Sequence, residues 1–327
     1  MGNSPIGPAD LASLLAAHGL AGVREEPFEH RGFSGAALTR LRRPDGTSFV
    51  LKRMSVARDW IMRATDDTSC REAAFARASI DLPTSIRTPV VGSALDGDEH
   101  ALLMIDVTSD LIAQGTPVDI DLLLERVAEL HALPFPTAPN LAWCDMEQRL
   151  LLLAPRTSEI AASYGAPVAR DIQRGWELFD GYASPRARRI IRGLFDDPSP
   201  LLHALEGMPS SLLHGDLKFD NIGFDAERRM WLLDWAMVMR GPRAVELGWF
   251  LAINSRSISI SLDDVLGIYA RHAHLDGDQR ARHEALTAVC GLLLRGWRKA
   301  LDAGERDGAE LEWWCERVSA AEPLLDR

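Results

Sequence analysis

The segment from His214 to Asn221 contains the residue types that transfer of a phosphoryl group requires. It reads His-Gly-Asp-Leu-Lys-Phe-Asp-Asn. Such a transfer needs a carboxylate that orients the acceptor hydroxyl and takes its proton, together with oxygen ligands for a hard cation such as Mg²⁺. Asp216 is the candidate for the first role and Asn221 for the second. Because side chains at this spacing point in different directions on a regular helix, we expect the segment to be a loop.

A second acidic residue, Asp234, directly follows the apolar run Met-Trp-Leu-Leu. The loop pattern HxDLxxxN and a later acidic residue after a strand form the catalytic and metal-binding pattern of kinases, with Gly215 where protein kinases carry arginine. Asp234 is therefore predicted to bind Mg²⁺ together with Asn221. Taken singly, an aspartate in a turn or a core histidine needs no function. The joint pattern indicates a kinase-like site.

Lys218 matches the lysine of the protein-kinase pattern HxDLK. From this position its ammonium group could reach the γ-phosphate, so Lys218 is a second candidate catalytic residue beside Asp216. A lysine that is simply solvated is the alternative.

The sequence HGDLKFDN followed by LLDW resembles the aminoglycoside phosphotransferase family of the kinase-like superfamily. The resemblance implies that Asp216 is the catalytic base, that Asn221 and Asp234 hold Mg²⁺, and that His214 is a structural residue of the loop. It also implies use of ATP, or alternatively GTP. A later segment, Gly241 to Leu247, resembles the family's glycine, proline and acidic segment, with Glu246 where the family usually has Asp.

The resemblance further implies an α+β, bilobal, protein-kinase-like fold with a small N-terminal β-sheet lobe, one main helix in that lobe, and a larger, mostly α-helical C-terminal lobe. Sequence patterns agree with this organisation. A turn signal, Pro-Asp-Gly at residues 44–46, separates strand-like runs, and an alanine-rich stretch from Thr68 to about Ile80 predicts a helix. The apolar run 101–105 predicts a buried strand, after which helical periodicity dominates. We therefore predict an N-terminal nucleotide-binding lobe at residues 1–105 and a C-terminal catalytic and acceptor-binding lobe at residues 106–327.

Lys52 ends an apolar strand-like run and is the best candidate to pair with the α- and β-phosphates. The preceding loop at residues 31–37 is predicted to cover the phosphates with small residues and backbone N–H groups, in particular at Ser34, Gly35 and Ala36. Two glycines in a hairpin are common, so the position of this loop before Lys52 is what makes it informative.

Glu72, on the predicted helix, has two interpretations. In a kinase it would form an ion pair that holds Lys52 in place. Alternatively, Ser69 and Glu72 have the spacing of a capping box, in which Glu72 would accept a hydrogen bond from the backbone N–H of Ser69. We favour the ion pair because the family pattern expects an acidic residue in this helix.

By resemblance, the connection between the lobes would hydrogen-bond the adenine edge through its backbone, at Ile105 and Val107. A buried core strand would explain the same side chains.

The sequence says less about the residues that would bind the acceptor. The resemblance places the acceptor in the C-terminal lobe, where acidic residues could attract a cationic small molecule, while a solvated helix face is the alternative. These residues are Asp263, Asp264, Asp276, Asp278, Glu284, Glu305, Asp307, Glu310, Glu312 and Glu316. Adjacent residues of a helix differ by about 100°, so Trp313 and Trp314 cannot both face inward.

Three functions follow from these patterns. The first is a kinase that phosphorylates a hydroxyl of an aminoglycoside or amino-sugar-type antibiotic, with a role in antibiotic resistance. The second is a metabolic or biosynthetic kinase for a sugar, a choline-like or homoserine-like alcohol, or another antibiotic. The third is a catalytically silent binding module, which the presence of Lys52, Asp216, Asn221 and Asp234 disfavours. A protein kinase is disfavoured because neither Phe-Gly nor an APE motif follows Asp234.

Composition limits the remaining classes. The 327 residues carry a net charge of −11, which disfavours nucleic acid as a partner. No apolar stretch approaches the length of a membrane span, and we expect a cytoplasmic protein. The four cysteines show no paired spacing that would indicate a zinc site or a disulfide framework. The oligomeric state is not predicted.

Overall fold

A computed structural model describes residues 9–28, 34–78, 80–112 and 116–325 of the chain. A mostly antiparallel sheet dominates its N-terminal part and helices dominate the rest. The strands are β1 (Ala9–Asp10), β2 (Glu25–Pro27), β3 (Ala37–Arg42), β4 (Ser48–Met54), β5 (Ile86–Arg87), β6 (Val90–Asp96), β7 (Glu99–Ile105), β8 (Ser210–Leu213), β9 (Ile222–Phe224), β10 (Met230–Leu232) and β11 (Met239–Pro242).

The helices follow the same chain order. They are α1 (Leu11–Ala17), α2 (Trp60–Ala64), α3 (Arg71–Ala78), α4 (Ile120–Ala132), α5 (Met146–Leu150), α6 (Pro155–Ser163), α7 (Val168–Tyr182), α8 (Pro185–Asp196), α9 (Ser199–Glu206), α10 (Arg243–Asn254), α11 (Leu262–His272), α12 (Gly277–Glu305) and α13 (Ala309–Ala321). In the described ranges, no helix is both long enough and apolar enough to cross a membrane.

The N-terminal sheet has six strands in the order β1-β6-β7-β4-β3-β2. Strand β4 lies between β3 and β7, so that Lys52 is opposite Leu38 on one side and Leu102 on the other. The predicted turn joins β3 to β4, with the Gly46 N–H donating to the Arg43 carbonyl at 3.0 Å. Because Lys52 follows a buried run in a central strand, the backbone position from which its side chain extends is fixed.

Helix α3 is the main helix beside this sheet, but its start differs from the prediction. It begins at Arg71 and not near Thr68, because Cys70 has a left-handed backbone with φ of 54°. The Asp67 carboxylate caps the helix by accepting from the Arg71 N–H at 2.8 Å. The capping role predicted as an alternative for Ser69 is therefore wrong, and the Glu72 side chain is free for another partner.

The C-terminal part packs around α12, a helix of 29 residues that lies against α10, α7 and α13. Its apolar positions, among them Leu286, Val289 and Leu293, are fully buried. Two small sheets interrupt the helices. One joins β8 to β11, and the other has the order β5-β10-β9. These short strands hold the loop that follows β8 and the end of β10, where the candidate residues lie.

The described residues thus form a mixed α and β structure with the predicted division of strands and helices. The boundary predicted between residues 105 and 106 coincides with the end of β7. That this boundary divides the lobes, and that each lobe has the predicted role, stays a prediction.

Candidate active site

The loop after β8 brings Asp216, Lys218 and Asn221 together. Lys218 Nζ lies 2.7 Å from Asp216 Oδ2. The Asn221 amide nitrogen donates to the same carboxylate oxygen at 3.1 Å and to the Asp216 carbonyl at 2.9 Å. Because both N–H groups of this amide face Asp216, Asn221 Oδ1 is the atom left to bind a cation. Burial opposes the charge of Lys218, but the carboxylates of Asp216 and Asp234 raise its pKa above the ordinary value.

Gly215 explains why this loop lacks the arginine of protein kinases. Its φ is +82°, and a Cβ atom at this position would lie 2.0 Å from the carbonyl oxygen of Met237. Left-handed backbone costs a residue with a side chain about 1–2 kcal/mol, and the contact with a backbone oxygen adds to that cost. The close approach joins the loop to the segment that follows Asp234.

We expect Gly215→Ala to lower the free energy of unfolding by about 2–4 kcal/mol, because backbone strain and a backbone clash act together. Chemical denaturation measures this change. Gly193→Ala is the matched control, since Gly193 lies on the exposed side of α8 with open space around it. That control should leave stability unchanged or raise it, as alanine favours helices. Equal stability of the two variants would contradict the strain at Gly215.

Glu246, on α10, holds the backbone of the loop that follows β8. Its carboxylate accepts from the backbone N–H groups of His214 at 3.2 Å and Gly215 at 2.5 Å, and from His131 Nε2 at 2.9 Å. Burial opposes ionisation, but the hydrogen bond and charge of His131 outweigh it and lower the pKa of Glu246. The longer side chain at this acidic position therefore still reaches the catalytic loop.

His214 connects the loop to the end of β10. Its Nδ1 accepts from the Asp216 N–H at 3.2 Å, so Nε2 carries the proton and donates to the Leu233 carbonyl at 2.8 Å. The ring also packs edge-on against Trp235 at 4.6 Å. His214 thus links the backbone at Asp216 to the backbone at Leu233, the residue before Asp234.

Lys52 joins the sheet to the C-terminal part of the site. Its Nζ lies 2.6 Å from Glu72 Oε2 and 2.9 Å from Asp234 Oδ1. Asp234 itself has φ of 65°, a left-handed backbone that turns its side chain out of the strand direction. The ion pair between Lys52 and Glu72 is therefore present in the structure, in place of the capping box.

Lys52, Glu72 and Asp234 form a charged triad, in which the pKa values of the two carboxylates shift in opposite directions. Burial favours neutral Lys52, but the carboxylates of Asp234 and Glu72 raise the pKa of its ammonium group. Burial also opposes ionisation of Asp234, yet the charges of Lys52 and Lys218 lower its pKa to about 2. Burial raises the pKa of Glu72 to about 7, and the charge of Lys52, which also pairs with Asp234, offsets this only in part.

Arg71 and Phe75 hold helix α3 against the segment that follows Asp234. The buried Arg71 guanidinium donates to the carbonyls of Ala142 at 2.8 Å and Ala236 at 2.7 Å. Phe75 stacks on Trp235 with a ring separation of 4.2 Å. These contacts fix the position of the neighbouring Glu72 relative to Asp234.

The triad and Asp216 line a cleft that also includes Ser34 and Asp59. Gly35 has φ of +107° and packs on the Arg58 carbonyl, while Ala36 follows with its N–H 3.4 Å from Ser34 Oγ. Of the three residues predicted to cover the phosphates, Ser34 lines the cleft, whereas Gly35 contacts neighbouring backbone and Ala36 is buried. Arg31, Gly32 and Phe33 lie outside the described residues.

At the other end, the two residues predicted to meet adenine differ in their backbone groups. The Ile105 N–H already donates to the Pro89 carbonyl at 2.9 Å. Within the described ranges, the Val107 N–H has no acceptor. Val107 is therefore the better placed of the two to donate to a bound base, while Ile105 presents an exposed side chain.

The donor set fits Mg²⁺. Asn221 and Asp234 offer an amide oxygen and a carboxylate oxygen, which are ligands that this hard cation prefers. Among the described residues, no group of three or more His, Cys, Asp or Glu side chains is arranged to hold a metal alone.

A family model described as the phosphotransferase enzyme family matches residues 108–286, which include every residue of the catalytic loop. The chain belongs to this phosphotransferase enzyme family. The resemblance to aminoglycoside phosphotransferases is confirmed, and the protein is a small-molecule kinase. A comparison with curated proteins finds no match.

Solved structures of kinases share the fold of this phosphotransferase. Aminoglycoside phosphotransferase APH(3'')-Id from Streptomyces rimosus matches with a TM-score of 0.51 and 16% identity, over 88% of this chain and 97% of that chain. A thermostable mutant of APH(4)-Ia, in a ternary complex with ADP and hygromycin B, matches with a TM-score of 0.53 and 12% identity, over 95% and 98%. Amicoumacin kinase hAmiN, in complex with AMP-PNP, Ca²⁺ and Ami, matches with 0.52 and 10%, over 95% and 93%. The predicted bilobal, kinase-like α+β fold is thereby confirmed.

The acidic residues predicted for the acceptor side of the phosphotransferase occupy solvated positions. Most are exposed, and the two half-buried ones are paired, Glu284 with Arg280 and Glu310 with Lys299, each at 2.6 Å. Trp314 is fully buried, whereas Trp313 is half-exposed and packs against Arg317. The solvated-face alternative therefore describes these carboxylates better than a cation-binding cluster.

Two residues near the chemistry were not found from the sequence. Asp59 is buried in the cleft, where its carboxylate caps α2 by accepting from the N–H groups of Ile61 and Met62. Arg149, on α5, is buried and donates to the Gly215 carbonyl at 2.6 Å. An aspartate before an apolar run predicts a helix cap, but no local pattern separates Arg149 from a solvated arginine.

Proposed function

We propose that this phosphotransferase moves the γ-phosphoryl group of ATP to a hydroxyl of a small molecule in the presence of Mg²⁺. One observation carries the proposal. Lys52 Nζ contacts both Glu72 and Asp234, and the same cleft is lined by Asp216, which Lys218 and Asn221 hold in place. Nucleotide-bearing relatives of the same fold support the choice of donor, since their structures contain ADP or AMP-PNP.

The proposed roles follow from these contacts. Lys52 pairs with nucleotide phosphates, and Glu72 fixes the direction of its ammonium group. Asn221 and Asp234 hold Mg²⁺, which neutralises charge on the phosphates when bound. Asp216 orients the acceptor hydroxyl and takes its proton as the new oxygen–phosphorus bond forms and ADP leaves. Lys218 stabilises charge on the transferred group, and the Val107 N–H meets the base.

The acceptor is open between the classes predicted from the sequence. An aminoglycoside or amino-sugar antibiotic remains a prediction, as does a role in resistance. Relatives with this fold are described in complex with hygromycin B and with streptomycin, the latter a second structure of the Streptomyces rimosus enzyme. A metabolic alcohol is the alternative, and a silent binding module is disfavoured by the intact constellation.

A combined screen tests the proposal. The thermal midpoint of the protein is measured with ATP, GTP and Mg²⁺, and ADP or GDP release is then followed across aminoglycosides, amino sugars, hydroxy acids and choline-like alcohols. A binding nucleotide should raise the midpoint, and a true acceptor should trigger nucleoside diphosphate release. A protein that neither binds a nucleotide nor releases a diphosphate with any acceptor would contradict the proposal.

Replacing Glu72 by Gln should lower kcat/KM for ATP about tenfold or more, because a charge-assisted hydrogen bond to Lys52 is lost. Steady-state kinetics at varied ATP measures the effect. Glu26→Gln is a matched control on exposed β2 and should behave like the wild type. A loss of thermal stability with unchanged kinetics would show that the ion pair is only structural.

A further inference from the structure

Two arginines and two tryptophans form a compact group behind the catalytic loop. We call Arg149, Trp249, Arg295 and Trp297 the Arg–Trp cluster. The Arg149 guanidinium carbon lies 4.4 Å from the centre of the Trp249 ring, and that of Arg295 lies 5.7 Å from the same ring and 4.7 Å from Trp297. The Arg–Trp cluster thus brings together positively charged and aromatic side chains from helices α5, α10 and α12.

This cluster adjoins the reacting residue. Arg149 Nε donates to the carbonyl of Gly215, the residue immediately before Asp216. The charge of the Asp216 carboxylate acts on both Arg149 and Arg295. The cluster therefore contacts the backbone next to the carboxylate that would orient the acceptor hydroxyl.

Each member of the cluster has a buried N–H group without an acceptor in the described part of the chain. The atoms are Arg149 Nη1, Trp249 Nε1, Arg295 Nε and Trp297 Nε1. Buried donors of this kind are rare in folded proteins and cost free energy when they stay unpaired. Four of them in one contact group indicate that a hydrogen-bond acceptor belongs there.

The charge of the surroundings shows what kind of acceptor fits. Arg295 is half-buried, yet no carboxylate of the described residues lies within ion-pair distance of it. The charge of Asp302 acts on Arg295, but the Asp302 carboxylate lies within ion-pair distance of Arg256 and Arg298 instead. Among the described residues, neither Arg149 nor Arg295 thus has a carboxylate at ion-pair distance.

Burial and the like charge of Arg298 lower the pKa of Arg295 to about 10. Burial likewise lowers the pKa of Arg149, against the opposing charge of Asp216. Both directions show that the protein alone stabilises these cations poorly. A bound anion would supply the missing partner.

We propose that the Arg–Trp cluster binds an anionic group, a carboxylate or a phosphate, on the acceptor whose hydroxyl faces Asp216. The inference rests on the proposed function and narrows its substrate class to hydroxyl compounds that carry negative charge. Guanidinium groups match carboxylate and phosphate in geometry, and the indole N–H groups add donors to the same site. A polycationic acceptor would instead meet unpaired positive charge.

Calorimetric titration with inorganic phosphate and, separately, with acetate tests the site and distinguishes the two anions. Arg295→Gln should weaken binding of the preferred anion about tenfold or more, because a charge-assisted hydrogen bond is removed. Arg295→Lys keeps the charge and should retain more of the affinity than Arg295→Gln. Arg280→Gln is the matched control on α12, since Arg280 is exposed and pairs with Glu284, and it should bind like the wild type.

Phosphate could also enter the nucleotide cleft, so Lys52→Ala is titrated in parallel. Retained anion binding in Lys52→Ala with a loss in Arg295→Gln supports the site. A loss in Lys52→Ala with wild-type affinity in Arg295→Gln would overturn it, as would a wild-type protein that binds neither anion.

A kinetic comparison separates this inference from the kinase function. With ATP and Mg²⁺, glycerate and glycerol 3-phosphate should support more ADP release than glycerol, and Arg295→Gln should raise KM for the anionic alcohols without raising KM for ATP. Preference for streptomycin or hygromycin B over both anionic alcohols would overturn the inference. Anion binding that depends on Arg295, in a protein that binds no nucleotide, would contradict the kinase function and leave the anion site supported.

Discussion

Replacing Asp216 by Asn is expected to lower kcat about 10³-fold while leaving the Kd for ATP essentially unchanged. In the proposed mechanism the carboxylate takes the proton of the acceptor hydroxyl, and a positioned general base contributes on this scale. The amide keeps the size of the side chain, so Lys218 and Asn221, which contact the carboxylate at 2.7 and 3.1 Å, retain a partner. Turnover by coupled ADP detection and ATP binding by calorimetry measure the two quantities.

Asp220→Asn is the matched control, because Asp220 lies in the same loop but is exposed. It should keep wild-type turnover. Asp216→Ala should lose turnover as Asp216→Asn does, with nucleotide binding largely intact. If Asp216→Asn and Asp220→Asn turned over ATP equally, Asp216 would not be the base.

The second large effect is expected at Asp234. Asp234→Asn should remove the part of ATP affinity that depends on Mg²⁺, because an ionised carboxylate ligand is lost. The charges of Lys52 and Lys218 lower the pKa of Asp234 to about 2, so the wild-type ligand is ionised throughout the neutral range. The Kd for ATP should therefore respond strongly to Mg²⁺ in the wild type and weakly in the variant. Titrations with Mg²⁺ and with EDTA measure the difference.

Glu227→Gln serves as the control, since Glu227 is exposed in the turn between β9 and β10, the hairpin that leads to Asp234. It should respond to Mg²⁺ like the wild type. An Asp234→Asn variant whose ATP affinity still rises with Mg²⁺ as in the wild type would place the metal elsewhere.

The catalytic loop was predictable because its residues are close in sequence. Asp216, Lys218 and Asn221 are brought together by one loop, and the apolar runs on either side predict the strands that hold it. The pairing of Lys52 with Glu72 was also predictable, since the family pattern expects an acidic residue in that helix. In both cases a recognisable sequence pattern allows few alternative arrangements of the side chains.

Other features depend on contacts between distant segments. The start of α3 was misplaced because capping spacing favoured Ser69, whereas the left-handed Cys70 lets Asp67 cap the helix. Arg149 could not be distinguished from a surface arginine, because its burial depends on how α5 packs beneath the catalytic loop. Sequence periodicity describes a helix face but not which distant backbone carbonyl that face will meet.

The acceptor side shows the same limit more strongly. Counting charges along the chain suggested a cation-binding cluster of carboxylates, but those residues are exposed or paired. The Arg–Trp cluster comes from three helices that are far apart in sequence, and only their packing brings Arg149 close to Arg295. Net charge therefore says little about the local charge at a site.

We propose that Asp216 activates an acceptor hydroxyl for transfer of the γ-phosphoryl group. The most direct measurement incubates wild type and Asp216→Asn with ATP radiolabelled in the γ-phosphate, Mg²⁺ and an acceptor identified in the screen, and then separates the products. We expect labelled, phosphorylated acceptor from the wild type and almost none from Asp216→Asn. Equal amounts of labelled acceptor from both proteins, or label released only as free phosphate by the wild type, would contradict it.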